Sequence, residues 1–397
     1  MFAKSFFSQR SIRVLGASCV VALCLLPIAI RSISSAQSAQ SDNGQMIFRF
    51  DTFGDEQFWT DVLMMNQVIQ SSVSPAVALS VGLKVDSTVL PPNFLATHSL
   101  TDPATTVELI RLNAVVGIVG TVRGNNLKSV GTTCALCHST VDNSVAPGIG
   151  KRLDAWPNRD LDPGAIIALS PAISAAQKAV YNSWGPGRYD PRFNIDGING
   201  PVLIAPAYGL RGVGFETYTG DGPISYWNNY VAVTQMGGHG SFCDTRINVC
   251  ITQEPDLVTP KLPALLQYQL SIDAPRPPVG SFDRVAARRG EAIFKGKAQC
   301  DSCHIPPTFT DVLAGTDPSV PFLHAPEEIG VDAAYADRSA TKLYRTTPLR
   351  ALWQHPPYFH DGSAGTLIDV VNHYDSLFGL RLTANQKTDL VEYLKTL

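Results

Sequence analysis

The chain has 397 residues, 45% of them hydrophobic, and a formal charge of −3. That length accommodates two or three domains with real cores, and the apolar content excludes a largely disordered chain. The acidic balance argues against a polyanion partner such as nucleic acid.

Lys4, Arg10 and Arg13 precede an apolar run from Val14 to Ile30, and small residues lead to Ser34-Ser35-Ala36. This is the layout of a secretory signal over residues 1–36, with an uncleaved anchor as its rival. Removing its four basic residues takes the formal charge from −3 to −7. The expectation is a periplasmic protein with no membrane span after signal removal.

Residues 37–125 read as an N-terminal helical extension, in which Phe58, Leu63, Met64, Val68 and Ile69 form one amphipathic face. Val115 to Val122 is expected to lay a short helix against the motif that follows, although Gly117 and Gly120 weaken it.

Cys134-Ala-Leu-Cys137-His138 is the haem attachment signature, and Cys300-Asp-Ser-Cys303-His304 repeats it. Each thiol adds across a vinyl group of the porphyrin, and the adjacent imidazole reaches the iron from one face. Zinc and thioredoxin-like redox pairs also use paired cysteines. A zinc ribbon wants two such pairs close together, however, and a redox pair needs no histidine at the next position. The reading is two covalently attached haem c groups.

Residues 145–260 are rich in Gly, Pro and aromatics, which predicts loops wrapped on a rigid cofactor. Within them, "VTQMGGHGSFCD" (233–244) offers Met236 and His239 on a glycine-rich loop. Either can ligate the first iron, and His239 can instead act as an acid or base above an open site. Cys243 and Cys250 are left to pair as a disulfide in an oxidising compartment, with two unpaired thiols as the alternative.

"SIDAPRPPVGSFD" (271–283) reads as a stiff linker. Beyond it, Ala287, Ala292, Ile293 and Phe294 predict a helix ended by Gly296. The five methionines are Met1, Met46, Met64, Met65 and Met236, so none follows the second motif. A residue of the second domain that closes that haem's other axial position is therefore a histidine or tyrosine: His324, His355, His360, His373 or Tyr374. Thr383 caps a last helix with Leu390, Val391, Leu394 and Leu397 on its apolar face. The fold class is mainly α, with two tandem cytochrome c-like haem domains (126–275 and 276–397), long loops and the N-terminal extension.

At "YRTTPLRALWQHPPYFHDGSAGTLIDVVNHYD" (344–375), followed by "LTANQKTDLVEYLKTL", the sequence resembles the bacterial di-haem cytochrome c peroxidase and MauG family. The resemblance is specific from Arg289 to Leu397 and weaker from Thr133 to Gly240. It implies that the haem at His304 passes electrons and that the haem at His138 reacts with peroxide. It places Tyr374, fourteen residues after His360, as the sixth ligand of the electron-transfer haem; the peroxidases have methionine there and MauG tyrosine. The family's distal glutamate falls on Gln235, so His239 is the residue left to supply acid/base function. Tyr218 or Trp227 would stand in for a tryptophan between the haems. The family's interdomain calcium would need an asparagine that the sequence lacks near Pro206. The implied partners are hydrogen peroxide and a small periplasmic electron donor, a cytochrome or a cupredoxin. The alternative is a non-enzymatic electron-transfer cytochrome with both haems six-coordinate.

Overall fold

The computed structural model describes residues 43–193, 195–315 and 322–397, so the export segment lies outside the described residues. Helices dominate, and the strands among the described residues form only two-stranded pairings. No described helix is long and apolar enough to cross a membrane.

The expected helix over Phe58–Ile69 is broken. A π-helical turn, Gln57–Val62, gives way at Met64, which has φ 58°, to an α-helix over Met65–Ser72. Tertiary contacts just before the break override the periodicity. Trp59 donates its indole N–H to Met236 O at 2.9 Å, and Ser170 donates its hydroxyl to Leu63 O at 2.7 Å.

The expected helix over Val115–Val122 is likewise a strand. Ile118–Arg123 (β1) pairs antiparallel with Asn126–Thr132 (β2), Ile118 facing Thr132, around Gly124 at φ +60°. Isoleucine, valine and threonine favour the pleated surface, and the two glycines that weaken a helix suit the hairpin. A Cβ on Gly117 would lie 2.2 Å from the Leu136 backbone, so this glycine lets the chain pass closely beneath the first motif.

The cysteine pairing is as expected: Cys243 and Cys250 form a disulfide and are register partners across a hairpin of Phe242–Asp244 and Val249–Ile251.

Two apolar clusters flank the first motif. One holds Trp59, Leu109, Leu136 and Trp184 with Cys137 at its edge; the other holds Phe48, Phe53, Ala135, Trp227 and Met236 with Cys134 at its edge. The N-terminal segment thus supplies core side chains to both faces of the motif.

After the linker, Asp283 caps Arg284–Lys295 (α1), its carboxylate accepting Val285 and Ala286 N–H, and Gly296 ends the helix. Leu367–Leu377 (α2) starts with a capping box of Thr366 and Asp369, and Ala384–Leu394 (α3) with one of Thr383 and Gln386. These helices enclose Phe294, Val371, Leu390, Tyr393 and Leu394. Where α1 meets α3, a Cβ on Gly290 would fall 2.0 Å from Asp389 O and 2.8 Å from Tyr393 Cβ. The bare glycine sets the distance between the two helices. Gly290→Ala is therefore expected to destabilise the protein by about 1–3 kcal/mol, read as a lower midpoint in denaturant unfolding; an unchanged midpoint would refute this tight approach.

Candidate functional site

The second motif sits at the end of α1. Gln299, at φ 49°, turns the chain into the short 3-10 turn Cys300–Ser302. His304 donates its Nδ1–H to Phe309 O at 3.0 Å. Because a carbonyl only accepts, this bond places the ring proton on Nδ1 and leaves Nε2 with a free lone pair. Enclosure lowers the His304 pKa, which keeps the ring neutral.

Cys300, Cys303 and His304 line a cavity of about 520 Å³ whose wall also includes Leu352, Phe359 and Tyr374. Cavities of this size and apolar character take cofactors. The two sulfurs, the neutral imidazole and the apolar walls provide what a tethered haem requires. Among the described residues, Cys303 also lies with Asp311 and His324, ligand atoms within 4.8 Å of one another, a group that neither Cys300 nor His304 joins.

Of the residues proposed to close the opposite side, Tyr374, His324, His355 and His360 line the cavity and His373 does not. His373 faces Ile329 O through Nε2 at 2.8 Å. His355 Nε2 is 3.3 Å from Arg350 O, and His360 Nε2 is 3.1 Å from the Tyr344 hydroxyl. Both nitrogens of His324 are engaged, with Glu328 at 2.9 Å and Thr346 at 3.0 Å. Asp311, then Cys303 and Glu328, push the His324 pKa up to about 11. The Tyr374 hydroxyl is different: among the described residues no hydrogen bond holds it, and enclosure pushes its pKa up to about 12, with Cys300 and Cys303 adding to the rise.

The first motif follows β2 directly, with Ala135–His138 as one helical turn. His138 repeats the arrangement of His304, its Nδ1–H donating to Ala205 O at 3.0 Å. Burial lowers its pKa to about 4 and raises the Cys134 and Cys137 thiols to about 12. Ala205 also lines the cavity of the second motif, so one residue touches both sites. Beside it, Trp156 packs edge-on to Trp353 with centroids 5.9 Å apart, next to Tyr208.

The glycine-rich loop divides its candidates. Met236 is buried in the cluster that touches Cys134. Gln235 is buried and donates Nε2–H to Pro191 O at 2.9 Å. His239 lies on the exposed side, its Nδ1 bonded to Pro255 O at 2.8 Å and its backbone N–H to Phe53 O at 2.8 Å. Tyr218 lines the second cavity, whereas Trp227 belongs to the cluster around Met236.

No family model matches the chain. Among characterised proteins, it is 30% identical over 132 residues to methylamine utilization protein MauG of Methylorubrum extorquens, covering 28% of this chain and 34% of that protein. It is 29% identical over 181 residues to cytochrome-c peroxidase IdrP1 of Denitromonas iodatirespirans, covering 34% and 48%. To cytochrome-c peroxidase IdrP2 of Pseudomonas sp. (strain SCT) it is 29% identical over 143 residues, covering 28% and 39%. The resemblance to the di-haem cytochrome c peroxidase and MauG family is borne out. The chain spans between a third and a half of the length of these relatives. Solved structures with a loose likeness are a Kuenenia stuttgartiensis hydrazine synthase (TM-score 0.33, 22% identity, 50% of this chain and 73% of that one) and a MauG-like protein associated with microbial copper homeostasis (TM-score 0.36, 19%, 51% and 75%).

Three features around the two motifs have no local sequence signature: Ala205, the Trp156–Trp353 contact and Asp55. The carboxylate of Asp55 accepts the Thr132 N–H at 3.0 Å and the Thr132 hydroxyl at 2.6 Å, fixing the strand that enters the first motif. Burial raises its pKa from the usual carboxylate range to about 8. The folded chain then holds a proton that the unfolded chain has already released, so stability falls as pH rises from about 4 to about 8. Asp55→Asn is expected to flatten that slope in urea unfolding followed across this range; an unaltered slope would assign the pH dependence elsewhere.

Proposed function

We propose that the chain is an exported di-haem c-type cytochrome, with one haem tethered to Cys134 and Cys137 and held by His138, and the other tethered to Cys300 and Cys303 and held by His304. The observation that carries this reading is the identical setting of the two motif histidines, each neutral and each donating Nδ1–H to a backbone carbonyl. The domain division proposed with it is 37–125, 126–275 and 276–397, after a signal over 1–36, and the compartment is the periplasm.

Bound haem supplies one-electron transfer and, where an axial face is open, reaction with peroxide. The residues of this chain set which haem does which. Tyr374 is the proposed sixth ligand at the second haem, supported by its place on the cavity wall and its unengaged hydroxyl. A phenolate oxygen favours the higher oxidation state relative to a methionine sulfur. The second haem would thus take electrons from a small cytochrome or cupredoxin and pass them toward the first motif, Ala205 being a residue that touches both sites.

At the first haem we propose peroxide reduction, which consumes two electrons and two protons per peroxide and releases two water molecules, or oxidation of a substrate. Gln235 orients rather than titrates, since an amide neither gains nor loses a proton near neutral pH. His239 is the proposed acid or base on this loop. The rival reading, a six-coordinate electron relay, is favoured by one observation: Met236 is already buried in the cluster that touches Cys134.

The ferric protein, matured in a host that attaches haem, is expected to retain two haems through acid extraction and to show a high-spin band that shifts on adding peroxide. Two low-spin haems indifferent to peroxide and cyanide would establish the relay instead. Tyr374→Phe is expected to change the spectrum of one haem only, and an unaltered spectrum would remove Tyr374 as a ligand.

A further inference from the structure

The wall of the cavity at the second motif is largely apolar but includes three arginines, Arg159, Arg345 and Arg350. Arg345 pairs with Glu216 at 3.1 Å and donates to Thr217 O. Arg159 and Arg350 have no carboxylate within ion-pair distance among the described residues. Arg159 donates to His355 O at 3.2 Å beside the Tyr218 hydroxyl, and Arg350 donates to Gly209 O. Nε and Nη1 of Arg159 and Nη1 of Arg345 are out of solvent without a well-formed hydrogen bond.

The charges do not balance. Three guanidinium groups face one carboxylate, and His324, the other cation on this wall, is taken up by Asp311 and Glu328. Asp273 acts on Arg350 only through space, and Arg188 sets a further positive charge near Arg159. Burying unpaired cations costs several kcal/mol per ion, so the wall is built to receive anions. The approach is also sterically prepared: Gly209, at φ +65°, has no Cβ, and one placed there would meet the Arg350 side chain at 2.8 Å.

We infer that Arg159 and Arg350, backed by Arg345, hold the two propionate carboxylates of the haem tethered at Cys300 and Cys303. Arg159 and Arg350, the two guanidinium groups on this wall with no carboxylate partner among the described residues, match in number the two carboxylates of one porphyrin, and planar guanidinium forks suit bidentate pairing. Arg159 comes from the half of the chain that carries the first motif, so the second haem is clasped from both halves. This inference rests on the di-haem reading above.

The test uses the full exported chain with Arg159→Gln, Arg350→Gln and Arg159→Lys. Haem content is measured by pyridine haemochrome, and each haem's midpoint potential by spectroelectrochemistry. A positive charge near the iron disfavours the ferric state, so each glutamine variant is expected to keep two covalent haems while one haem's potential falls and the other's stays. Arg159→Lys, which retains the charge, restores most of the drop and separates this role from a merely structural one. Two retained haems with both potentials unmoved would overturn the clamp and leave the di-haem reading standing. Absence of a second covalent haem in the parent protein would overturn both. Titration of the parent with inorganic phosphate distinguishes the source of the anion: potentials indifferent to phosphate support the haem's own carboxylates, and a phosphate-dependent potential would show an exchangeable anion in their place.

Discussion

Each site depends on a single hydrogen bond from a histidine Nδ1–H to a backbone carbonyl. Without it an imidazole has two tautomers and a free rotation, and its lone pair points nowhere in particular. With it, one tautomer is selected and the ring plane is pinned by main chain, the stiffest acceptor available. The acceptors are reached differently. His304 finds Phe309 only five residues on, through a loop that places Phe309 at φ 53°. His138 finds Ala205 across 67 residues. The first site is therefore assembled by tertiary structure and the second largely by local turn chemistry.

That difference explains how the remainder of the molecule is arranged. The second motif needs α1 to deliver it and α3 to pack against α1 through Gly290, and α2 brings Tyr374 to the wall of the same cavity. The first motif needs the N-terminal segment, which places Phe48, Phe53 and Trp59 in its flanking clusters and ties Thr132 down through Asp55. The two assemblies meet where Ala205, the Trp156–Trp353 contact and Arg159 come together. Of these residues, Ala205 belongs to neither motif in sequence and touches both sites in space.

Legibility in the sequence follows the range of the interaction. The end of α1 at Gly296, the cap at Thr383 and the disulfide rest on contacts within a few residues, and these stood in the sequence as they stand in the structure. The hairpin over Ile118–Thr132 was hidden because its glycines read as helix weakeners rather than as sites of close approach to Leu136. The break at Met64 was hidden because it is held by Trp59 and Ser170 reaching distant partners. Asp55, Ala205 and Arg159 act over separations of 77, 67 and 196 residues, and no local pattern reports them.

Tyr374 shows how sequence and geometry combine where neither suffices. Counting methionines narrows the opposite side of the second site to five residues, but nothing in the count separates them. Geometry does. His324 has both ring nitrogens engaged, by Glu328 and Thr346; His355, His360 and His373 have one each, on Arg350 O, the Tyr344 hydroxyl and Ile329 O, and His373 does not line the cavity. Recruiting His324, or the Nε2 of His355 or His360, to a metal would break an existing contact, at a cost of about 1–3 kcal/mol where a buried partner group is left unsatisfied. The phenol of Tyr374 breaks nothing. Enclosure makes its ionisation unfavourable in the protein alone, and an adjacent cation offsets that penalty because attraction between the charges strengthens in the same low-dielectric surroundings. A half-buried phenol with no hydrogen bond contributes little to a finished core and leaves its oxygen free for the proposed ligand role.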